Sequence, residues 1–283
     1  MTLLVTGATG HLGRLVIDSL LARGAQPDEI VAGVRDPAKA VDLADRGIRT
    51  AVVDYDRPET VTAALSDVDA VLLISGSEVG RRVEQHRAVI DAAAAAGVSK
   101  LVYTSAPKAT TSDLVLAPEH KATEELIAAS GIPSVILRNN WYTENYADTL
   151  AQARATGGFA ASVGDGRVAS ASRRDFAEAA AVVLLEEGHD GAVYELGGDV
   201  AWDYDDLAAA LSEVIGTPVE YRRVTAAEQI AALEGVGLDA GTAGFVAALD
   251  AGIAAGALAD TDGTLGRLIG RPTTPLVEGL RSL

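Results

Sequence analysis

Cysteine is absent from this chain of 283 residues, and aromatic residues make up only 4% of it. The lack of cysteine excludes a disulfide-stabilised scaffold and any catalytic or metal-binding thiolate. It also fits a reducing compartment. The four histidines are scattered without the spacing of metal ligands, so no metal site is expected.

Basic residues are scarce as well, because 23 lysines and arginines stand against 40 aspartates and glutamates, for a net charge of -17. A nucleic-acid partner requires a basic face that displaces counterions, and this balance argues against one. No apolar run reaches the ~18 residues that span a bilayer, and no basic-plus-apolar leader precedes the first strand. We therefore expect a cytoplasmic protein without a membrane partner.

A glycine-rich turn near the N-terminus is the most informative segment. A short apolar strand runs directly into Thr6-Gly7-Ala8-Thr9-Gly10-His11-Leu12-Gly13, and a helix follows, as in the first βα unit of a dinucleotide-binding sheet. Gly7 would permit the tight turn, Gly10 the approach of a diphosphate towards the helix amides, and Gly13 the close packing of the helix. A glycine-rich structural turn is the alternative. The predicted coenzyme contacts here are Gly7, Thr9, Gly10, His11, Leu12 and Gly13.

Short apolar strands alternate with helices along the first half of the chain. This order predicts an α/β fold with a Rossmann-type doubly wound parallel sheet. Residues 1–150 are predicted to form the NAD(P)-binding domain, and a later strand near 192–198 is expected to return to its sheet. Residues 151–283 are predicted to form mainly a smaller, mostly helical substrate lobe.

Arg35 ends the second strand, about twenty residues after the last glycine. An acidic residue at this position would bind the adenosine ribose of NAD, whereas an arginine accommodates the 2′-phosphate of NADP. Arg35 therefore favours NADP(H) over NAD(H), since its guanidinium can hold a phosphate through two hydrogen bonds. Asp36 keeps NAD(H) open, because it could be the ribose acid with Arg35 turned away.

Polar and small residues follow the next three strands, at the sheet edge where ligands bind in open α/β folds. Asp54 and Tyr55 end the third strand, and a carboxylate there can accept a hydrogen bond from the adenine amino group. Ser75 and Gly76 end the fourth strand and leave room for a ribose. The segment Thr104-Ser105-Ala106 ends the fifth strand, beside the expected nicotinamide.

Several segments resemble the short-chain dehydrogenase/reductase superfamily, and specifically its atypical NmrA-like branch. They are TGATGHLG at 6–13, VRDPAKA at 34–40, YTSA at 103–106, EHKATEELIAASGI at 119–132 and RNNWYTENY at 138–146. The last two look closest to the type 2 NAD(P)H:quinone oxidoreductases. The resemblance covers most of the chain and implies that NADPH supplies a hydride while the protein positions the two rings.

The chain departs from the superfamily in its catalytic pair. Most members carry Tyr-x-x-x-Lys, in which the lysine lowers the pKa of a tyrosine that exchanges a proton with the substrate. If Lys121 is that lysine, Ala117 stands where the tyrosine would be. Reduction of a carbonyl by the usual route is therefore not expected, whereas a quinone accepts a hydride readily and can take its proton from water.

The candidate catalytic residues are His120, Lys121 and Tyr142. His120 could donate a hydrogen bond to a developing oxyanion, or be an ordinary core or surface histidine. Lys121 could hold the nicotinamide ribose, or be a solvated helix charge. The candidate acceptor pocket gathers rare aromatic rings beside amides, at Asn140, Trp141, Tyr142, Asn145 and Tyr146. Alternatively, Trp141 and Tyr142 fasten the smaller lobe to the sheet.

These residues predict an NAD(P)H-dependent oxidoreductase that transfers a hydride to a quinone or a similar conjugated acceptor. One alternative is a non-catalytic NAD(P)-binding redox sensor that reports to a protein partner, as NmrA-like regulators are thought to do. Another is a reductase of an imine or unsaturated ring in specialised biosynthesis. The sequence favours a small-molecule substrate and leaves a homodimer open.

Overall fold

The computed structural model describes all 283 residues, which form two compact units. The first unit comprises residues 1–110, 118–139 and 173–195, and the second comprises 111–117, 140–172 and 196–283. The sequence predicted a boundary near residue 150 and a later strand near 192–198 that returns to the sheet of the first domain. In the structure the chain passes between the units at several points, since the helix at 173–185 belongs to the first unit and residues 111–117 belong to the second.

Nine strands form two sheets. They are β1 (Leu3–Val5), β2 (Ile30–Val34), β3 (Arg49–Val52), β4 (Ala70–Leu73), β5 (Lys100–Ser105), β6 (Ser134–Asn139), β7 (Gly158–Ala161), β8 (Val193–Leu196) and β9 (Glu220–Arg223). Seven of them lie in one sheet in the order β3-β2-β1-β4-β5-β6-β8. The pairs from β3 to β6 are parallel. The prediction of a Rossmann-type doubly wound sheet is confirmed.

Twelve α-helices complete the fold. They are α1 (His11–Ala22), α2 (Val41–Asp45), α3 (Pro58–Ala64), α4 (Arg82–Ala96), α5 (Ala117–Ser130), α6 (Ala147–Thr156), α7 (Arg173–Leu185), α8 (Tyr204–Ile215), α9 (Ala226–Gly235), α10 (Ala240–Ala254), α11 (Thr264–Ile269) and α12 (Leu276–Arg281). None of them combines the length and the apolar character that crossing a lipid bilayer requires.

The central strands of the large sheet are covered on both faces. Every residue of β1, β2 and β4 is buried, as expected for parallel strands that lie between two layers of helices. The chain order reverses between β1 and β4, which are neighbours in the sheet. A crevice at the carboxyl ends of the strands opens at such a reversal, and it is the usual ligand site of this fold.

The second unit has its own core, with aromatic rings from Tyr146, Phe159, Trp202 and Tyr204 among its buried residues. It also contains a parallel pair, β7 and β9, that the sequence did not predict. The reason is that β9 reads Glu-Tyr-Arg-Arg and is largely exposed, so no apolar alternation marks it.

Candidate functional site

The glycine turn after β1 has the geometry that its sequence predicted. Gly7 lies at φ +59°, in the left-handed region that favours glycine. The N–H of Gly10 donates to the carbonyl of Gly7 at 2.9 Å, and Gly10 is the N-cap residue of α1. A Cβ at Gly13 would lie 2.3 Å from the Gly7 carbonyl oxygen, so only glycine allows α1 to pack this closely against the turn.

A cavity of about 380 Å³ opens at the carboxyl ends of β1 to β4. It brings together these predicted coenzyme residues: Gly7, Thr9, Gly10, Arg35, Asp54, Tyr55, Ser75 and Gly76. His11, Leu12 and Gly13 form the first residues of α1, directly after the glycine turn. The remaining walls come from Asp36, Lys39, Val53, Asp56, Ile74, Ser77, Glu78 and Gln85. Val53 and Ile74 directly follow β3 and β4. Gln85 comes from α4, and nothing in the sequence indicated that it would line the cavity.

Arg35 is an accessible cation of this cavity. Its side chain is 74% exposed, and its nearest anionic partner is Glu78, with Nη1 3.5 Å from Oε1. The neighbouring Asp36 uses its Oδ1 to accept the N–H of Ala38 at 3.0 Å, as the cap of a short 3-10 helix. Arg35 is therefore available to a phosphate, whereas one oxygen of Asp36 is already engaged.

Asp54 and Tyr55 form the wall after β3. Burial alone would raise the pKa of Asp54, but the N–H of Asp56 and the guanidinium of Arg57 lower it, so the carboxylate is held ionised. The Tyr55 hydroxyl group lies 2.6 Å from Thr6 Oγ1 and donates to the Ile74 carbonyl at 3.1 Å. Desolvation raises the pKa of Tyr55 to about 12. The Tyr55 phenol is therefore neutral, and its hydrogen bonds connect the residues that follow β1 and β4.

The segment after β5 is positioned through buried hydrogen bonds. Thr104 Oγ1 accepts a hydrogen bond from the N–H of Ser75 at 2.9 Å and so fixes the backbone of this cavity residue. Ser105 donates to Glu124 Oε1 at 2.6 Å, and Glu124 also receives a bidentate contact from Arg138. Ala106 is buried. Thr104 therefore contacts a residue of the cavity, and none of the three predicted residues lines the cavity itself.

The candidate catalytic residues of α5 have contrasting environments. His120 is buried, and its Nδ1 lies 2.7 Å from the hydroxyl oxygen of Tyr103. Desolvation, aided by the charge of Arg82, lowers the pKa of His120 to about 3, so the ring is neutral. Lys121, by contrast, is exposed. Tyr103, which the sequence marked only as a strand residue, is thus the direct partner of His120.

The candidate acceptor residues all belong to the second unit. The amide of Asn140 is engaged at both ends, since Nδ2 donates to Leu258 O at 3.2 Å and Oδ1 accepts the N–H of Trp141 at 2.7 Å. Trp141 and Tyr142 are half-buried, whereas Asn145 is exposed. Tyr146 packs in the core, with its ring edge against Trp202 at 5.2 Å. The cluster therefore combines two buried residues, Asn140 and Tyr146, with three that remain partly or fully accessible.

Comparison with known proteins identifies the family. The sequence pattern of the NAD(P)H-binding family matches residues 7–187, which include the glycine turn and the cavity. The chain belongs to this family. Within it, the chain is 49% identical to quinone oxidoreductase 2 of Escherichia coli, over 99% of this chain and 97% of that protein.

Two solved structures extend this relationship. The NADPH-dependent quinone oxidoreductase of Escherichia coli, complexed with NADPH, superimposes with a TM-score of 0.95 at 48% identity, and 99% of each chain is covered. Triphenylmethane reductase of Citrobacter sp., complexed with NADP(H), has a TM-score of 0.94 at 37% identity, again with 99% of each chain covered. The resemblance to the type 2 quinone oxidoreductases drawn from short motifs is confirmed.

Proposed function

We propose that this NAD(P)H-binding protein is an NADPH-dependent oxidoreductase that reduces quinones or similar conjugated acceptors. The observation that carries the proposal is the pre-formed glycine cradle at the mouth of the cavity, in a chain 49% identical over nearly its whole length to a quinone oxidoreductase. The relatives that are named reductases also support an enzyme rather than a sensor.

The cavity residues fit a dinucleotide. The unpaired amides and the positive dipole end of α1 would hold the diphosphate, which Gly10 admits because it has no side chain. Asp54, being ionised, would accept a hydrogen bond at the adenosine end. Arg35 would hold the 2′-phosphate, which is why we propose NADPH over NADH. When bound, the nicotinamide supplies a hydride.

The main contribution of this chain's residues is to position the coenzyme and the acceptor, and not to transfer a proton. If Lys121 is the lysine of the usual pair, Ala117 occupies the place of the tyrosine, and His120 is neutral and paired with Tyr103. The chemistry therefore depends on holding the donor and acceptor rings in register. An acceptor whose reduced form takes its proton from water suits this arrangement. Roles for His120, Lys121 and Tyr142, and an acceptor pocket at Asn140 to Tyr146, stay part of this proposal.

The test follows the loss of nicotinamide absorbance when NADPH is mixed with benzoquinone in the absence of oxygen. We expect rapid oxidation by the wild-type protein and a lower rate with Trp141→Ala. Gly13→Val is the negative control, because its side chain would collide with the glycine turn and should prevent coenzyme binding. Tight NADPH binding by calorimetry, together with no oxidation by quinones, azo dyes or triphenylmethane dyes, would contradict the proposal and favour the sensor.

Three expectations stay predictions: a cytoplasmic location, the absence of a nucleic-acid partner, and the possible formation of a homodimer. Light scattering on the purified chain measures the last of these directly.

A further inference from the structure

The loop that follows β4 is held at both ends by hydrogen bonds to side chains of α4 and α5, in the first unit. The N–H of Gly76 donates to His86 Nε2 at 2.9 Å, and the carbonyl of Gly76 accepts from Arg82 Nε at 2.7 Å. At the other end, the N–H of Gly80 donates to Glu119 Oε1 at 2.7 Å. Glu119 Oε2 also forms an ion pair with Arg82 Nη1 at 2.8 Å, so the side chains that bind the two ends of the loop also bind each other.

The tautomer of His86 follows from its partners. Because Nε2 accepts from a backbone N–H, the ring proton lies on Nδ1, which is 3.0 Å from Thr123 Oγ1. The Thr123 hydroxyl group in turn donates to the Glu119 carbonyl at 2.9 Å. Desolvation and the charge of Arg82 lower the pKa of His86 to about 3. The acceptor at Nε2 is therefore retained at neutral pH.

We infer that His86 is a positioning residue of the coenzyme site, acting through the peptide of Gly76. Gly76 lines the cavity, and as a glycine it has no side chain that restricts its backbone. The hydrogen bonds that Gly76 donates to His86 and accepts from Arg82 supply that restriction instead. Thr123 extends the arrangement by fixing the ring proton of His86. This inference rests on the proposed function, since it assigns the cavity to NADPH.

Removing the acceptor at residue 86 should lower the fraction of molecules whose cavity wall is ready for coenzyme. The apparent dissociation constant rises by the inverse of that fraction. His86→Phe keeps a ring of similar shape beside Tyr103 and Tyr55, whose ring centroids lie 5.4 and 6.2 Å away. It leaves the N–H of Gly76 without its acceptor. We expect NADPH to bind about tenfold more weakly, as for the loss of one buried hydrogen bond.

The experiment measures NADPH binding by calorimetry for the wild-type chain and three variants. His86→Gln can accept from Gly76 and donate to Thr123, and should restore binding close to the wild-type value. Thr123→Val, which removes the acceptor for Nδ1 but keeps the side-chain shape, should weaken binding in the same direction as His86→Phe. If His86→Phe does not fold, the contrast between these two variants decides the question.

A control variant separates positioning from general loss of stability. Gln229→Leu removes a buried hydrogen bond to Asp250 in the second unit, and it should lower the thermal midpoint while NADPH affinity stays unchanged. Equal NADPH affinity in the wild-type chain, His86→Phe and Thr123→Val would overturn the role of His86. No heat from NADPH with the wild-type chain would instead refute the proposed function.

Discussion

Acidification should destabilise the protein steeply, because two neutral imidazoles are buried in the first unit. His86 is 0% exposed and His120 is 6% exposed. Desolvation, with the charge of Arg82, lowers the pKa of both from 6.5 to about 3. The unfolded chain therefore binds more protons than the folded chain between these values. The stabilisation is fully present above about pH 6.5 and is lost as the pH falls towards about 3.

The size of this effect follows from proton linkage. Between pH 7 and pH 5, each histidine should remove about 2 kcal/mol from the free energy of unfolding, and the pair about 4 kcal/mol. This is a large part of the 5–15 kcal/mol that is usual for a folded domain. Carboxylates held ionised, such as Asp54, add only a small loss above pH 5, because the ordinary pKa of an aspartate is about 3.9.

The assay is urea unfolding followed by circular dichroism at pH 7, 6 and 5 without coenzyme. His120→Gln keeps a hydrogen-bond partner for Tyr103 but does not titrate, so it should remove about half of the pH-dependent loss. His11→Gln, which deletes an exposed imidazole, is the matched control. A wild-type loss below about 1 kcal/mol between pH 7 and pH 5 would refute the reasoning, because two depressed pKa values require more.

Three further substitutions test the site and its support. Arg35→Ala should weaken NADPH about ten- to a hundredfold and NADH little, since only NADPH carries the 2′-phosphate; equal losses by calorimetry would reject this role. Glu124→Gln should lower the free energy of unfolding by about 3 kcal/mol, because Arg138 is only 12% exposed and would lose a charged partner; an unchanged urea midpoint would contradict this. Gly13→Ala places a Cβ 2.3 Å from Gly7 O and should abolish NADPH binding; normal binding would show that the turn has room.

The sequence predicted those parts of the site that depend on local signals. The turn from Gly7 to Gly13 was predictable because each glycine has a separate steric reason to be there. Arg35 was predictable because a strand end fixes its position in the fold. Gln85 and His86 were not, since they reach the cavity wall from a helix whose apolar face carries no such signal. Their roles depend on the packing of α4 against the loop after β4.

If Lys121 is the lysine of the usual pair, so that Ala117 stands where the tyrosine would be, the nearby Tyr103 is the residue to consider as its replacement. Burial raises the pKa of Tyr103 well above its usual value and lowers the pKa of His120, although the two groups share a hydrogen bond of 2.7 Å. Neither group therefore gains or loses a proton near neutral pH, and Tyr103 cannot replace the tyrosine of the usual Tyr-x-x-x-Lys pair. A proton that must reach the reduced acceptor is then better supplied by solvent. Under the proposed function a quinone tolerates this, because hydride transfer leaves a resonance-stabilised phenolate, whereas hydride transfer to a simple ketone leaves an alkoxide, a much stronger base that must be protonated.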